Sequence, residues 1–90
     1  MWLDDVRPAP EGWKHDYSVY EAIDLIKKGH VENASLDHDL GENKPTGYKL
    51  CMRMAEFNKW PKNKPAVHSM NPVGAFAMRA IIERYGPWDV

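Results

Sequence analysis

The chain has one cysteine, Cys51, so an intrachain disulfide is excluded and a reducing compartment is expected. It has no apolar run near the length of a membrane span, which argues against a membrane partner. Its start, Trp2-Leu3-Asp4-Asp5, lacks the basic stretch of a secretory signal, and the expected location is the cytoplasm. Repeats and low-complexity tracts are also missing. There is no basic excess either. The formal net charge is -1, which excludes a long surface for wrapping nucleic acid. That small sum hides an asymmetry. Residues 1–45 hold 10 acidic and 5 basic side chains, whereas residues 46–90 hold 3 acidic and 7 basic. An acidic site facing a basic half suits a ligand made of a metal and a phosphate.

What is present is an ordinary globular composition, 43% hydrophobic and 28% charged, with four Trp in 90 residues. Such a length makes one domain, residues 1–90, with a modest core that a bound metal or a dimer partner can help to stabilise. Met1-Trp2-Leu3 reads as a strand that opens into the acidic loop Asp4-Asp5-Val6-Arg7-Pro8. Pro8, Pro10 and Gly12 keep the next ten residues irregular. Trp13, His15 and Tyr17 in that loop either cover a site as an aromatic lid or pack over a sheet edge. Ser18 and Glu21 have the spacing of a capping box, and Val19, Ala22, Ile23 and Ile26 follow at helical spacing. The first helix is expected over 18–28, ended by Gly29.

A second strand leads into Ala34-Ser35-Leu36-Asp37-His38-Asp39-Leu40-Gly41. Thr46 caps a second helix over 47–59, whose inward set is Gly47, Leu50, Cys51, Met54 and Phe57. The cysteine on this apolar side reads as core packing. Lys59, Lys62 and Lys64 around the helix exit read as a solvated turn, with phosphate contact the lesser reading. Pro65 to Met70 form a third strand. Asn71 and Pro72 then start a third helix as N-cap and first helical residue. Its apolar face is Met78, Ile81, Ile82 and Tyr85, and the tail Trp88-Asp89-Val90 docks by its Trp. The order is β-α-β-α-β-α. It predicts an α/β domain with a three-stranded parallel sheet, helices on its faces in three layers, and right-handed crossovers.

In such a sheet the ligand site lies beyond the carboxyl ends of the strands. The three ends are Asp4-Asp5, Asp37-His38-Asp39 and His68-Ser69-Met70-Asn71. If the second strand persists, Asp37 and Asp39 point the same way and His38 the other. Carboxylates brought together repel unless a cation joins them, and a hard divalent ion such as Mg²⁺ is the simplest one. The third end adds the Ser69 hydroxyl and a helix N-terminus at Asn71–Gly74, which attracts an anion. His38 and His68 add groups that titrate near neutral pH. Each residue also has a bland reading. Asp4 or Asp5 can cap a turn or pair with Arg7, His38 and His68 can be core histidines, and Ser69 and Asn71 can simply cap the helix.

These blocks resemble a known family. Leu3-Asp4-Asp5-x-Arg7, Ser35-Leu36-Asp37-His38-Asp39-Leu40-Gly41, Thr46-Gly47-Tyr48 and His68-Ser69-x-Asn71-Pro72-x-Gly74 with Met78 are similar to the cyclic-phosphate processing receiver-like domain. The likeness runs from residue 3 to about 85. It implies a reduced response-regulator receiver fold acting on cyclic phosphates, in RNA end processing or phage–host conflict. By resemblance to receivers, Asp4 or Asp5 takes the role of the acidic pair that holds Mg²⁺, Asp37 that of the phospho-acceptor, and Ser69 that of the hydroxyl residue. A signalling receiver has five βα units and a Lys after its last strand. Three units are read here, without that Lys, so phosphorylation-driven switching is not expected.

Three functions follow as expectations. The first is a metal-assisted phosphoesterase that opens a cyclic phosphate on an RNA end or a cyclic nucleotide. Asp4 or Asp5, with Asp37 and Asp39, would hold Mg²⁺ or Mn²⁺. His68 or His38 would be the acid or base, and Ser69, Asn71 and Gly74 would hold the phosphate. The second makes Asp37 a nucleophile, since the D-x-D with Ser69 also looks like the haloacid-dehalogenase arrangement. The third is a small binding module that captures a nucleotide or a host protein. The open edges of a short sheet can also pair two copies into a homodimer.

Overall fold

A computed structural model describes residues 1–5, 7–16, 18–41 and 44–88. It is an α/β domain with four short parallel strands, β1 (Trp2–Leu3), β2 (His15–Asp16), β3 (Ser35–Leu36) and β4 (Ala66–Val67). The described residues also form three helices, α1 (Val19–Lys27), α2 (Gly47–Phe57) and α3 (Pro72–Tyr85). The expected parallel sheet and its three helices are present. The sheet has one strand more than the three expected, because His15-Asp16 pairs with Trp2-Leu3. Two residues between a Pro/Gly-rich loop and a helix cap are too short to show a strand period, so this strand was not legible. Tyr17, expected beside it, lies outside the described residues, as do Asp89 and Val90 of the tail.

The strands run in the order β2-β1-β3-β4. This is the flavodoxin-like and receiver order, short of its last strand. From β2 the chain passes over β1 to β3 and then on to β4 in one direction. Right-handed crossovers therefore put α1 and α2 on the same face. In agreement, α2 packs against both α1 and α3. The reverse step from β1 to β2 is made by residues 4–14, with no helix among those described. A right-handed return places that stretch on the opposite face, where Trp13 meets Trp2 edge to face at 6.1 Å.

Strand alternation assigns the two faces. Leu3 and Leu36, both fully buried, face the helices and meet Val19, Ala22 and Ile26 of α1, Leu50, Cys51 and Met54 of α2, and Met78 and Ile82 of α3. Each such aliphatic side chain contributes about 1.5–3 kcal/mol by leaving water. Every helix has the cap expected of it. Ser18 Oγ accepts from Glu21 N–H, Thr46 Oγ1 from Lys49 N–H and Asn71 Oδ1 from Gly74 N–H. Two apolar assignments fail. Phe57 is 43% exposed with Lys27 Nζ 4.6 Å above its ring, and Tyr85 is 55% exposed. Both stand in the last turn of their helix, past the reach of the short sheet. Trp88 does dock, donating from Nε1 to Ile82 O at 2.8 Å and meeting Trp60 edge to face.

No helix among the described residues is long and apolar enough to cross a membrane. Burial pushes the Cys51 thiol up to about 12, so it is protonated at neutral pH and serves as packing. Labelling with a thiol reagent at pH 8 should therefore proceed only as fast as the protein opens. Rapid stoichiometric labelling of the folded protein would contradict this placement.

Candidate functional site

The sheet ladder continues one residue past three strand ends and fixes three backbones. Asp4 N–H donates to Asp16 O at 3.2 Å, Asp37 N–H to Leu3 O at 2.9 Å and His68 N–H to Leu36 O at 2.9 Å. Alternation turns Asp4, Asp37 and His68 away from the helices, to the side of Trp2 and Ser35. The connections from β1 and from β3 leave toward opposite faces, so a crevice opens between these two strands, where ligands bind in such sheets. Oxygens of Asp4, Asp5 and Asp37 meet there, all within 4.8 Å of one another. Asp4 is 1% exposed and Asp37 7%. An open cavity of about 580 Å³ lies over them, lined by Asp4, Asp5, Arg7, Asp37, Asp39, Gly41 and Met70.

Asp4 is the most tightly held of the three. Its Oδ1 accepts from Arg7 N–H at 2.9 Å, and its Oδ2 stands 3.0 Å from His68 Nε2 and 3.8 Å from Arg7 Nε. His68 is spent on this task. Its Nδ1 lies 2.7 Å from Ser35 Oγ, and its ring stacks on Trp2 with centroids 3.8 Å apart and planes 10° off parallel. A carboxylate only accepts, so Nε2–H donates to Asp4, and Nδ1 shares its hydrogen bond with the Ser35 hydroxyl. Asp37 uses Oδ1 to accept from His38 N–H at 2.8 Å. Glycine lets α2 support it from below. Gly47 N–H donates to His38 O at 2.8 Å, and a Cβ on Gly47 would overlap the Asp37 carbonyl.

Asp39 does not join the three carboxylates. Strand β3 ends at Leu36, so the alternation that would align Asp37 with Asp39 does not persist. Asp39 lines the cavity rim and its Oδ1 stands 2.8 Å from His38 Nδ1. The expected phosphate cradle at α3 is also largely occupied. Ser69 Oγ accepts from Asn71 N–H, Asn71 Oδ1 caps Gly74 N–H, and Asn71 O takes Ala75 N–H. Pro72 has no N–H to offer. Gly74 is buried under the His38 ring, where a Cβ would come within 2.5 Å. None of Ser69, Asn71 and Gly74 lines the cavity.

The profile of the cyclic-phosphate processing Receiver domain matches residues 1–84 of the chain. The chain belongs to this family. No curated protein and no solved structure matches it significantly. Within the receiver-like domain, sequence reasoning placed Asp4, Asp5 and Asp37 together and passed over Ser35 and Trp2, which fix His68. Ser35 was findable, because it stands two residues before Asp37 and shares its face. A stacked Trp has no such signal.

Replacing Gly47 with Ala pushes directly on the Asp37 backbone. The variant should lose about 1–3 kcal/mol of stability. Thermal unfolding checks it; an unchanged midpoint would break the link between α2 and Asp37.

Proposed function

We propose that the domain is a metal-assisted phosphoesterase that opens a cyclic phosphate, with the 2′,3′-cyclic end of an RNA or a cyclic nucleotide as substrate class. One observation carries this reading: three carboxylates, two of them buried, converge at the topological switch point of a cyclic-phosphate processing domain. Buried like charges in contact are costly unless a cation neutralises them. The donor set is all oxygen, which suits Mg²⁺ or Mn²⁺, with Asp4, Asp5 and Asp37 as the residues that would hold it. When bound, the cation supplies polarisation of a phosphoryl oxygen and acidifies a water.

The chain's own groups divide the remaining work. His68, with both ring nitrogens engaged, positions Asp4 and is not the proton carrier. His38 does not itself line the cavity, but it is joined to the rim through Asp39, which makes it the better candidate. With Nδ1–H donated to Asp39, its Nε2 keeps a lone pair and has no partner among the described residues. It takes the proton of the attacking water as the new P–O bond forms. One ring P–O bond breaks, and the leaving ribose oxygen ends protonated, which leaves a monoester. Asp39 thus acts through His38, as an orienting group. Ser69 and Asn71 shape the turn that seats His38 against α3.

A second reading draws on the surface beside the cavity. Met70, Val73 and Phe76 are 84%, 79% and 76% exposed at the start of α3, as in a module that captures a nucleotide or a host protein without turnover.

The test is incubation with an RNA oligomer ending in a 2′,3′-cyclic phosphate, with Mg²⁺, Mn²⁺ or EDTA, followed by mass spectrometry of the end group. Wild type should open the ring only with metal. Asp37→Asn should abolish opening, and His38→Gln should slow it about 10²–10⁴-fold with metal affinity kept. Binding without any change of the end group would support the capture module instead.

A further inference from the structure

Among the described residues that line the cavity, Arg7 is the one cation, set against Asp4, Asp5, Asp37 and Asp39. An arginine that only neutralised this acidic group would seat its guanidinium flat on a carboxylate, in the two-bond geometry that such pairs favour. Arg7 does not. Its Nε stays 3.8 Å from Asp4 Oδ2, beyond hydrogen-bond length. Its firm contacts to the site are made elsewhere. The backbone N–H holds Asp4 Oδ1, and Nη1 donates to the carbonyl of His68 at 3.3 Å. The backbone carbonyl accepts from Trp2 Nε1 at 3.3 Å. The residue is thus anchored at both ends of its side chain, on β1's loop and on the end of β4. The Nη2 pair and the second hydrogen of Nη1 have no partner among the described residues. The side chain is 41% exposed.

Such an arm is pre-set for an anion. A guanidinium offers donors in a fixed fork that matches two oxygens of one phosphate. The start of α3, which the sequence favours for this task, spends most of its N–H groups on its own capping, and none of Ser69, Asn71 and Gly74 lines the cavity. We infer that Arg7 is the phosphate-binding residue of this site and receives two non-bridging oxygens of the substrate phosphate in a bidentate grip. This inference rests on the proposed function and adds to it. It also narrows the substrate. The cavity lining includes no aromatic side chain among the described residues, so a base is not stacked inside it and the phosphate is the feature read.

Inorganic phosphate is the probe. Mn²⁺ is first titrated into the full chain by calorimetry, and phosphate is then titrated into the Mn²⁺-loaded protein, with ³¹P line broadening as a second readout. Arg7→Met should weaken phosphate binding at least 10-fold. Its Mn²⁺ affinity should be unchanged or higher, since a nearby positive charge has gone. Arg7→Lys, which keeps the charge and loses the fork, should fall between the two and guards against a folding defect in Arg7→Met. If both variants bind phosphate as wild type does, or if Mn²⁺-loaded wild type binds none, the assignment of Arg7 is overturned while the metal centre stands. If wild type binds no Mn²⁺, the proposed function itself fails, and the assignment with it.

Discussion

The repulsion among Asp4, Asp5 and Asp37 is the constraint that the rest of the domain answers. Their oxygens lie within 4.8 Å of one another, and two of the three side chains are nearly out of water. At such separations like charges repel, more strongly out of water than in it. The fold meets that cost with local donors. Arg7 and His68 serve Asp4, the His38 amide serves Asp37, and the sheet ladder holds the backbones of Asp4, Asp37 and His68 in place. A small domain with a thin core does not keep such an arrangement for stability alone. A divalent cation resolves it at once, which is why the reading as a metal centre is favoured over a polar loop.

The surrounding framework reads as a receiver reduced to what this centre needs. Four strands keep the order that makes the switch point between β1 and β3. One helix of the usual wrapping is replaced by the 4–14 loop, and that same loop carries Asp5 and Arg7. The helix-free face it covers also holds the chain Trp2, His68, Ser35, by which Asp4 is aimed. Structure and site are therefore built from the same segments. Gly47 shows the same economy on the other side, where α2 can reach the Asp37 backbone only because no side chain intervenes.

Much of this was legible in the sequence. The three helices and their caps follow from Ser18, Thr46 and Asn71 and from apolar spacing, and the acidic strand ends follow from alternation and topology. What was lost has physical causes. The strand at His15-Asp16 is set by pairing with β1, a tertiary effect without a period of its own. Asp39 leaves the cluster because a two-residue strand cannot carry alternation onward. The engagement of His68 by a stacked Trp2 and the Ser35 hydroxyl rests on contacts between residues 33 or more apart in the chain. At the N-terminus of α3, Ser69 and Asn71 use most of the amides that the sequence leaves open to an anion.

The most direct measurement is thermal unfolding of wild type and Asp37→Asn, each in EDTA and in excess Mg²⁺ or Mn²⁺. The central claim is that three carboxylates are held together for a cation. It predicts that metal raises the midpoint of wild type, as any ligand of the folded state does. It also predicts that Asp37→Asn is the more stable protein in EDTA, with repulsion relieved and the hydrogen bond from His38 N–H kept, and that metal no longer raises its midpoint. A wild type indifferent to both metals, together with a variant that is less stable in EDTA, would contradict the account.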